Sequence, residues 1–263
     1  MILKWESADG KVIEFTNKNK YILESTSGFG YPPNDLSSVK SPYQMGNTLI
    51  GQVIQPRDME IEFIVITDKK DQLFQYKREI IKAFNPIKGI GQLTYIDSTN
   101  NKYQIKAVPE QSPIFKEDYK TYQNIKLNLH APDSRWYNPD PINITLNQST
   151  ELINSGDTVT PIEITLDGPM SNPVLINTTA GKKIRLDHSI GSGEKIVINT
   201  KFGSKSIYLY DSLGRKRKAF SLLFFDSQLF GLKTGSNIID LRASNMSEES
   251  NATVSYKERY LGI

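Results

Sequence analysis

Apolar and polar residues alternate with a period of two along much of this chain, which predicts a protein built mainly from β-strands. In the first half, every second position is apolar over residues 59–65 and again over residues 125–129. Successive side chains of a strand point to opposite faces, so both segments predict strands with one buried face. Further strands are predicted at residues 92–96 and 103–108.

One segment of the first half, residues 71–84, follows a different period. Its apolar side chains are three to four residues apart: Leu73, Tyr76, Ile80 and Phe84. This spacing predicts an amphipathic helix that packs one stripe against the sheet. Asp71 is positioned to cap its first turn. Asn85 precedes a proline and therefore ends the helix.

The second half contains short alternating segments separated by glycine-, proline- and asparagine-rich turns, with no helical period. Strands are predicted at residues 142–146, 162–166, 174–177, 184–186, 196–200, 206–210, 221–225, 237–241 and 253–256. Many short strands with frequent turn residues are typical of a β-sandwich.

A boundary between two domains is predicted at residues 131–141, where three prolines fall within eleven residues. Proline cannot pair in a sheet interior and favours an extended connector. The predicted domains are residues 1–140, which combine strands with the helix, and residues 141–263, which contain strands alone.

The composition leaves little material for catalysis or metal binding. The chain of 263 residues has no cysteine and only two histidines, and its formal net charge is +3. His130 and His188 have no partner at ligand spacing, and neither a phosphate-binding loop nor a nucleophile elbow occurs. Glu60 and Glu62 lie on the polar face of an alternating strand, so they are interpreted as structural. No cofactor and no membrane span are expected, since no apolar run approaches the ~20 residues that a span requires.

The strongest charge cluster is Arg215, Lys216, Arg217 and Lys218, after a turn signal. It is interpreted as an exposed hairpin tip whose charges discourage edge pairing. The alternative is a surface contact with an anionic cell-wall polymer or an acidic neighbour. Nucleic-acid recognition is disfavoured because the run contains no aromatic residue for base stacking. Tyr208 and Tyr210 share one face of a nearby strand, and the apolar Ile207 and Leu209 lie on the other face. This strand is therefore expected either to be buried on both sides or to meet a partner on one side.

The order of short motifs along the chain resembles that of siphophage distal tail proteins, the hubs at the end of non-contractile tails. The first-half motifs are YILES (21–25), GFGYPP (28–33), SPYQMG (41–46), PRDMEI (56–61), FNP (84–86), GIGQLTY (89–95), PIF (113–115) and APDSRW (131–136). The turn-rich stretch 154–200 continues the resemblance, which therefore covers nearly the whole chain.

The resemblance implies an N-terminal ring-forming domain followed by a C-terminal galectin-like β-sandwich. It implies a hexameric ring that joins the tail tube to the adsorption apparatus. The implied partners are the tail tube protein, a tail-associated lysin or tip protein and a receptor-binding protein, while genome DNA passes through without specific binding. The implied location is the virion tail tip, assembled in the bacterial cytoplasm, or a domesticated tail-like particle.

Within a ring domain, Arg57 is the candidate interface residue. An arginine directly before a long strand is suited to pair with a carboxylate across a subunit contact, and an ion pair within the chain is the alternative. The turns at residues 28–33 and 41–46 are expected to reach a neighbouring subunit. A carbohydrate-binding module that attaches to the bacterial cell wall is the alternative function, and a cell-wall hydrolase ranks last because no catalytic grouping is found.

Overall fold

The computed structural model describes residues 1–18, 20–118, 121–146, 148–248 and 250–263. It divides the chain into unit 1, residues 1–137 with 261–263, and unit 2, residues 138–260. These ranges differ from the predicted domains at residues 138–140 and 261–263. The last three residues belong to unit 1 because Arg57 and Phe29 hydrogen-bond to them. That each predicted domain folds independently stays a prediction.

Unit 1 contains eleven strands and one helix among its described residues. They are β1 (Ile2–Glu6), β2 (Val12–Phe15), β3 (Tyr21–Ser27), β4 (Asn34–Val39), β5 (Thr48–Ile54), β6 (Arg57–Ile66), α1 (Lys70–Ala83), β7 (Gly91–Ile96), β8 (Lys102–Pro109), β9 (Ile114–Asp118), β10 (Tyr122–Ala131) and β11 (Trp136–Tyr137). The sheet order is β2-β1-β7-β8-β10-β6-β3, with β9 beside β10 and β11 beside β8. Strands β4 and β5 form a separate two-stranded sheet.

The predicted alternation of β6 and β10 is confirmed. These two strands pair over ten residues, from Tyr122–Ile66 to Ala131–Arg57. Every second position points into the interior, where Ile61, Phe63 and Val65 are each fully buried, whereas Ile66 on the other face is 47% exposed. The core of unit 1 therefore lies on one face of this central pair.

Helix α1 covers the core as predicted, with Leu73 and Ile80 buried and Tyr76 half-buried. Phe84, which ends the predicted stripe, is buried at the C-cap position. The Phe84 ring stacks on Trp5 at 5.1 Å between centroids, and the Trp5 indole N–H donates to the Ala83 carbonyl at 2.9 Å. The predicted cap was wrong, because Asp71 lies within the first turn and the N-cap position is Lys69. A carboxylate there still meets the positive end of the helix dipole.

Unit 2 is a β-sandwich, as the strand pattern predicted. Its strands are β12 (Ile142–Thr145), β13 (Ser149–Asn154), β14 (Thr160–Asp167), β15 (Met170–Asn177), β16 (Lys182–Arg185), β17 (Ser189–Ile190), β18 (Lys195–Asn199), β19 (Ser206–Tyr210), β20 (Lys216–Lys218), β21 (Gly231–Leu232), β22 (Gly235–Ser244), β23 (Asn251–Tyr256) and β24 (Arg259–Tyr260). One sheet has the order β12-β23-β14-β18-β19-β20, with β21 beside β14. The other has the order β13-β22-β15-β16, with β17 beside β15.

The core of unit 2 lies between these two sheets and is aliphatic, with Ile164, Ile198 and Leu175 fully buried. The predicted strand at residues 221–225 is wrong. Phe220–Leu222 form a short 3-10 turn, in which the Leu222 N–H donates to Ala219 at 3.1 Å. The mainly β fold with one helix and a galectin-like second unit is confirmed.

Candidate interaction surfaces

The most exposed apolar feature of unit 1 is the hairpin formed by β4 and β5. Every residue of β4 is exposed, and so is every residue of β5 except Gly51. Strand register runs from Asn34 opposite Ile54 to Val39 opposite Thr48. A two-stranded ribbon on its own is marginally stable in water, because it has no third layer to bury its side chains.

Both faces of this hairpin carry apolar side chains. The register places Leu36 and Ile54 on one face, and Val39 and Val53 on the other. Leu36 is 63% exposed and Val53 is 62% exposed. A surface strand normally alternates apolar and polar faces, so apolar groups on both faces make this ribbon a candidate interaction surface.

The tip of the hairpin extends the apolar surface further. Tyr43 and Met45 are fully exposed, and Tyr43 adopts a left-handed conformation with φ of 62°. The predicted turn at residues 41–46 is this tip. The predicted turn at residues 28–33 is the root, where Phe29 is buried against Trp136 at 5.3 Å between ring centroids.

Arg57 lies at the root of the hairpin and is 1% exposed. Its guanidinium donates to the backbone carbonyls of Ser134 at 3.0 Å, Gly28 at 2.8 Å and Gly30 at 2.6 Å. A further hydrogen bond reaches the Leu261 carbonyl. These hydrogen bonds hold together the segments that enter and leave the hairpin. The Gln55 N–H also donates to the Pro33 carbonyl across the root at 2.8 Å.

This geometry changes the interpretation of Arg57. The sequence suggested that Arg57 pairs with a carboxylate, either across a subunit contact or within the chain. Instead, its guanidinium donates to four backbone carbonyls of its own chain. Burial lowers the pKa of Arg57 to about 10, which still leaves the guanidinium charged at neutral pH. Arg57 is therefore a positioning residue for the hairpin, and its burial leaves no surface for direct contact with a neighbour.

Gly28 makes this close approach feasible. Its φ is +78°, and a Cβ placed on it would lie 2.1 Å from the carbonyl oxygen of Asp58. Only glycine combines a left-handed backbone with the absence of a side chain. The root of the hairpin is therefore specified by a glycine and an arginine that the sequence places 29 positions apart.

The carboxylates of β6 form cross-strand ion pairs, as the structural interpretation requires. Glu60 pairs with Lys126 and Glu62 pairs with Lys116. Among the residues that the structure describes, no three His, Cys, Asp or Glu side chains come together as a metal site. In the same part of the chain, no helix is long and apolar enough to cross a membrane.

The structure separates the four basic residues of unit 2 that the sequence placed in one cluster. Arg215 lies in the turn before β20 and pairs with Asp211 at 2.6 Å, and its hydrogen bonds hold the pKa of Asp211 below the usual range. Arg217 lies opposite the buried Leu209. Lys216 and Lys218 share the opposite, outer face of the sheet.

That outer face also carries the tyrosines of β19, opposite these two lysines in register. Ile207 and Leu209 are buried, whereas Tyr208 and Tyr210 are half-buried. The prediction that this strand is buried on both sides is therefore wrong. The alternative, that its outer side meets a partner, stays a prediction.

Sequence reasoning missed the hairpin, although a signal was present. Residues 48–54 read TLIGQVI, with apolar side chains at both odd and even positions. A search for half-buried strands requires alternation and passes over such a segment.

Two family models match this chain and together cover most of it. The phage tail protein RIFT-related domain matches residues 8–131, and the C-terminal domain of the siphovirus-type tail component matches residues 155–260. No curated protein matches the sequence.

Solved structures of phage proteins share the fold along the whole chain. The crystal structure of phage SPP1 Dit, described as a paradigm of the hub adsorption apparatus in phages infecting Gram-positive bacteria, is 14% identical, with a TM-score of 0.73 over 98% of each chain. A chain of the phage P2 baseplate, in its activated conformation with calcium, is 11% identical, with a TM-score of 0.56 over 100% of both chains. The corresponding structure with strontium has a TM-score of 0.57 at 11% identity, over 100% of this chain and 99% of that one.

Proposed function

Because this chain belongs to the siphophage distal tail protein family, we propose that it forms a hexameric ring that joins the tail tube to the adsorption apparatus. Unit 1 supplies the ring contacts and unit 2 faces outward. In a closed ring, each subunit uses two different surfaces, one for each neighbour. The hairpin of β4 and β5 is the first of these surfaces.

The observation that carries the proposal is the exposure of this hairpin. A monomer leaves Ile50 70% and Val53 62% exposed, on a ribbon with unpaired strand edges. Native proteins normally protect such edges with charges or proline, because exposed edges aggregate. Residues 34–54 contain only Asp35 and Lys40 as charged side chains, so a neighbouring subunit is the natural cover.

The remaining parts of the proposal follow from the family and from the site. The partners are the tail tube protein, a tail-associated lysin or tip protein and a receptor-binding protein. The location is the tail tip of the virion or of a related tail-like particle, assembled in the host cytoplasm. The role is structural and not enzymatic, because a ring requires rigid interfaces and no reacting groups. Release of sugars or peptides from purified cell wall, lost on mutating one acidic residue, would contradict this part.

The ring is tested by the mass of the full chain in solution at micromolar concentrations. We expect light scattering to give a species near six times the 29.8 kDa monomer, alone or with the neighbouring tail proteins. The double substitution Ile50→Ser with Val53→Ser should shift this species toward the monomer. Burying such side chains contributes about 1.5–3 kcal/mol each when they pass from full exposure to full burial.

A matched control replaces two exposed apolar residues of unit 2, Phe202→Ser with Leu213→Ser, which are 90% and 76% exposed. This control should retain the mass of the wild type. A hairpin variant that assembles as well as the wild type, or a control that disassembles equally, would contradict the assignment of the contact. A wild type that stays monomeric even with its tail partners would contradict the ring itself.

A further inference from the structure

The outer face of the larger sheet of unit 2 brings basic and aromatic side chains into adjacent rows. Strand register places Lys195, Tyr210 and Lys216 in one row. The next row contains Val197, Tyr208 and Lys218. We call these residues the Lys–Tyr face. Its position at the edge of the sheet follows from β20 being the last strand.

The lysine side chains of this face are held against the tyrosine rings. The Lys216 ammonium lies 3.8 Å from the centroid of the Tyr208 ring and 5.8 Å from that of Tyr210. The Lys195 ammonium lies 5.4 Å from the Tyr210 centroid. Cation–π attraction fixes two long side chains that would otherwise be mobile, which lowers the entropy cost of a bound anion.

Three acidic groups border this face, and they reduce its positive charge only in part. Asp167 lies opposite Lys195 in register. Asp211 is engaged by Arg215, and Glu194 accepts from the Gly191 N–H at 2.9 Å. A cleft of about 290 Å³ opens beside them, lined by Lys195 and Tyr210 together with all three of these carboxylates. The anionic groups of a ligand would therefore lie on the lysines outside the cleft, and only its hydroxyls would enter.

From this arrangement, we propose that the Lys–Tyr face binds a linear anionic glycopolymer, a chain of sugar or polyol units that carries regularly spaced phosphate or carboxylate groups. The three ammonium groups would contact successive anionic groups. The tyrosine hydroxyls and the polar cleft would contact the hydroxyls of the polymer.

The occupied tyrosine face, and not charge, favours this ligand over a nucleic acid. Bases bind by stacking on free aromatic faces, whereas the Lys216 ammonium already occupies the Tyr208 face at 3.8 Å. A base would have to displace that ammonium and lose the cation–π contact. A flexible polymer of small units needs no stacking surface. It can pass from Lys195 across the outer strands to Lys216 and on to Lys218 along the edge strand.

The experiment measures binding of the full chain to four polymers by calorimetry at low salt. The polymers are a glycerol-phosphate polymer, polygalacturonate, neutral dextran and oligo(dT). We expect binding to the glycerol-phosphate polymer, to polygalacturonate or to both, and this pattern assigns phosphate or carboxylate as the recognised group. Raising salt from 50 to 200 mM should weaken binding about 20- to 40-fold, as expected when about three charges are neutralised on a linear polyanion.

Two variants test the arrangement itself. Replacing Lys195, Lys216 and Lys218 together with serine should weaken binding at least tenfold. The matched control replaces the exposed Lys182, Lys201 and Lys205 with serine, which changes the net charge equally and should preserve affinity.

Tyr208→Leu keeps the net charge and removes the ring that holds Lys216. It should weaken binding about two- to fivefold, the worth of an exposed cation–π contact. An unchanged thermal midpoint would show that each variant is folded.

The proposal is overturned if the wild type binds none of the anionic polymers, binds dextran equally, or loses the same affinity in both triple variants. Stronger binding to oligo(dT) than to either glycopolymer would identify a nucleic-acid surface and would also overturn it. The outcome is independent of the ring, since a monomeric chain presents the same Lys–Tyr face.

Discussion

Removing the guanidinium of Arg57 should destabilise unit 1 strongly. Arg57→Met keeps the length and apolar stem of the side chain but removes one hydrogen-bond donor from each of four backbone carbonyls. Each carbonyl that stays dry costs about 1–3 kcal/mol. Part of this cost is offset, because the variant no longer buries a charge. With four carbonyls affected and this offset included, we expect a net loss of about 3–5 kcal/mol.

Urea unfolding followed by tryptophan fluorescence measures this loss in unit 1 alone. Both tryptophans, Trp5 and Trp136, belong to unit 1 and are buried there. With a slope of about 2 kcal/mol per molar urea, the expected loss lowers the midpoint by about 2 M. The control Arg78→Met removes the same charge from an exposed position on helix α1 of the same unit and should change the stability by less than about 0.5 kcal/mol.

Arg57→Lys provides a second test of the reasoning. Lysine keeps the charge but lacks the planar fork that reaches several acceptors at once, so its stability should fall between those of the wild type and Arg57→Met. A loss under about 1 kcal/mol for Arg57→Met, or full stability for Arg57→Lys, would refute the importance of the four contacts. Since these contacts fix the hairpin root, Arg57→Glu should also weaken assembly more than Lys216→Glu does.

The other predictions concern packing, backbone geometry and accessibility. Phe84→Ala should cost about 3–5 kcal/mol in the same urea assay, whereas Phe74→Ala, at a ring of the same unit that is 67% exposed, should cost little; similar costs would contradict the buried stripe. Gly28→Ala should destabilise unit 1 more than Gly46→Ala. Both glycines have positive φ, but only Gly28 has backbone atoms in the space that a Cβ would occupy. Equal losses of stability would show that the positive φ alone causes the loss, and would contradict the role of close packing at Gly28. Trypsin should cut at Lys40 in the monomer and much more slowly in the assembled ring; equal rates would show that the hairpin stays exposed.

The strand and helix content of this protein could be predicted largely from the sequence. The alternation of residues 59–65 and the stripe of Leu73, Ile80 and Phe84 record which side of each element is buried. This information is local, because it depends only on spacing along a strand or helix. The mainly β fold followed from it, while the hairpin was missed because apolar residues on both faces break the alternation.

The hairpin root and the Lys–Tyr face could not be predicted from the sequence, because both are formed by segments that are distant along the chain. The acceptors of Arg57 lie between 27 and 204 positions away along the chain, and no spacing rule links a guanidinium to backbone carbonyls. The basic run of residues 215–218 contains no aromatic residue, but strand pairing places Lys216 over the ring of Tyr208. The same pairing turned Arg217 to the other face. Local periodicity thus determined which residues form strands and the helix, whereas only the tertiary structure decided their partners, because strand pairing and carbonyl hydrogen bonds are set by packing of the whole unit.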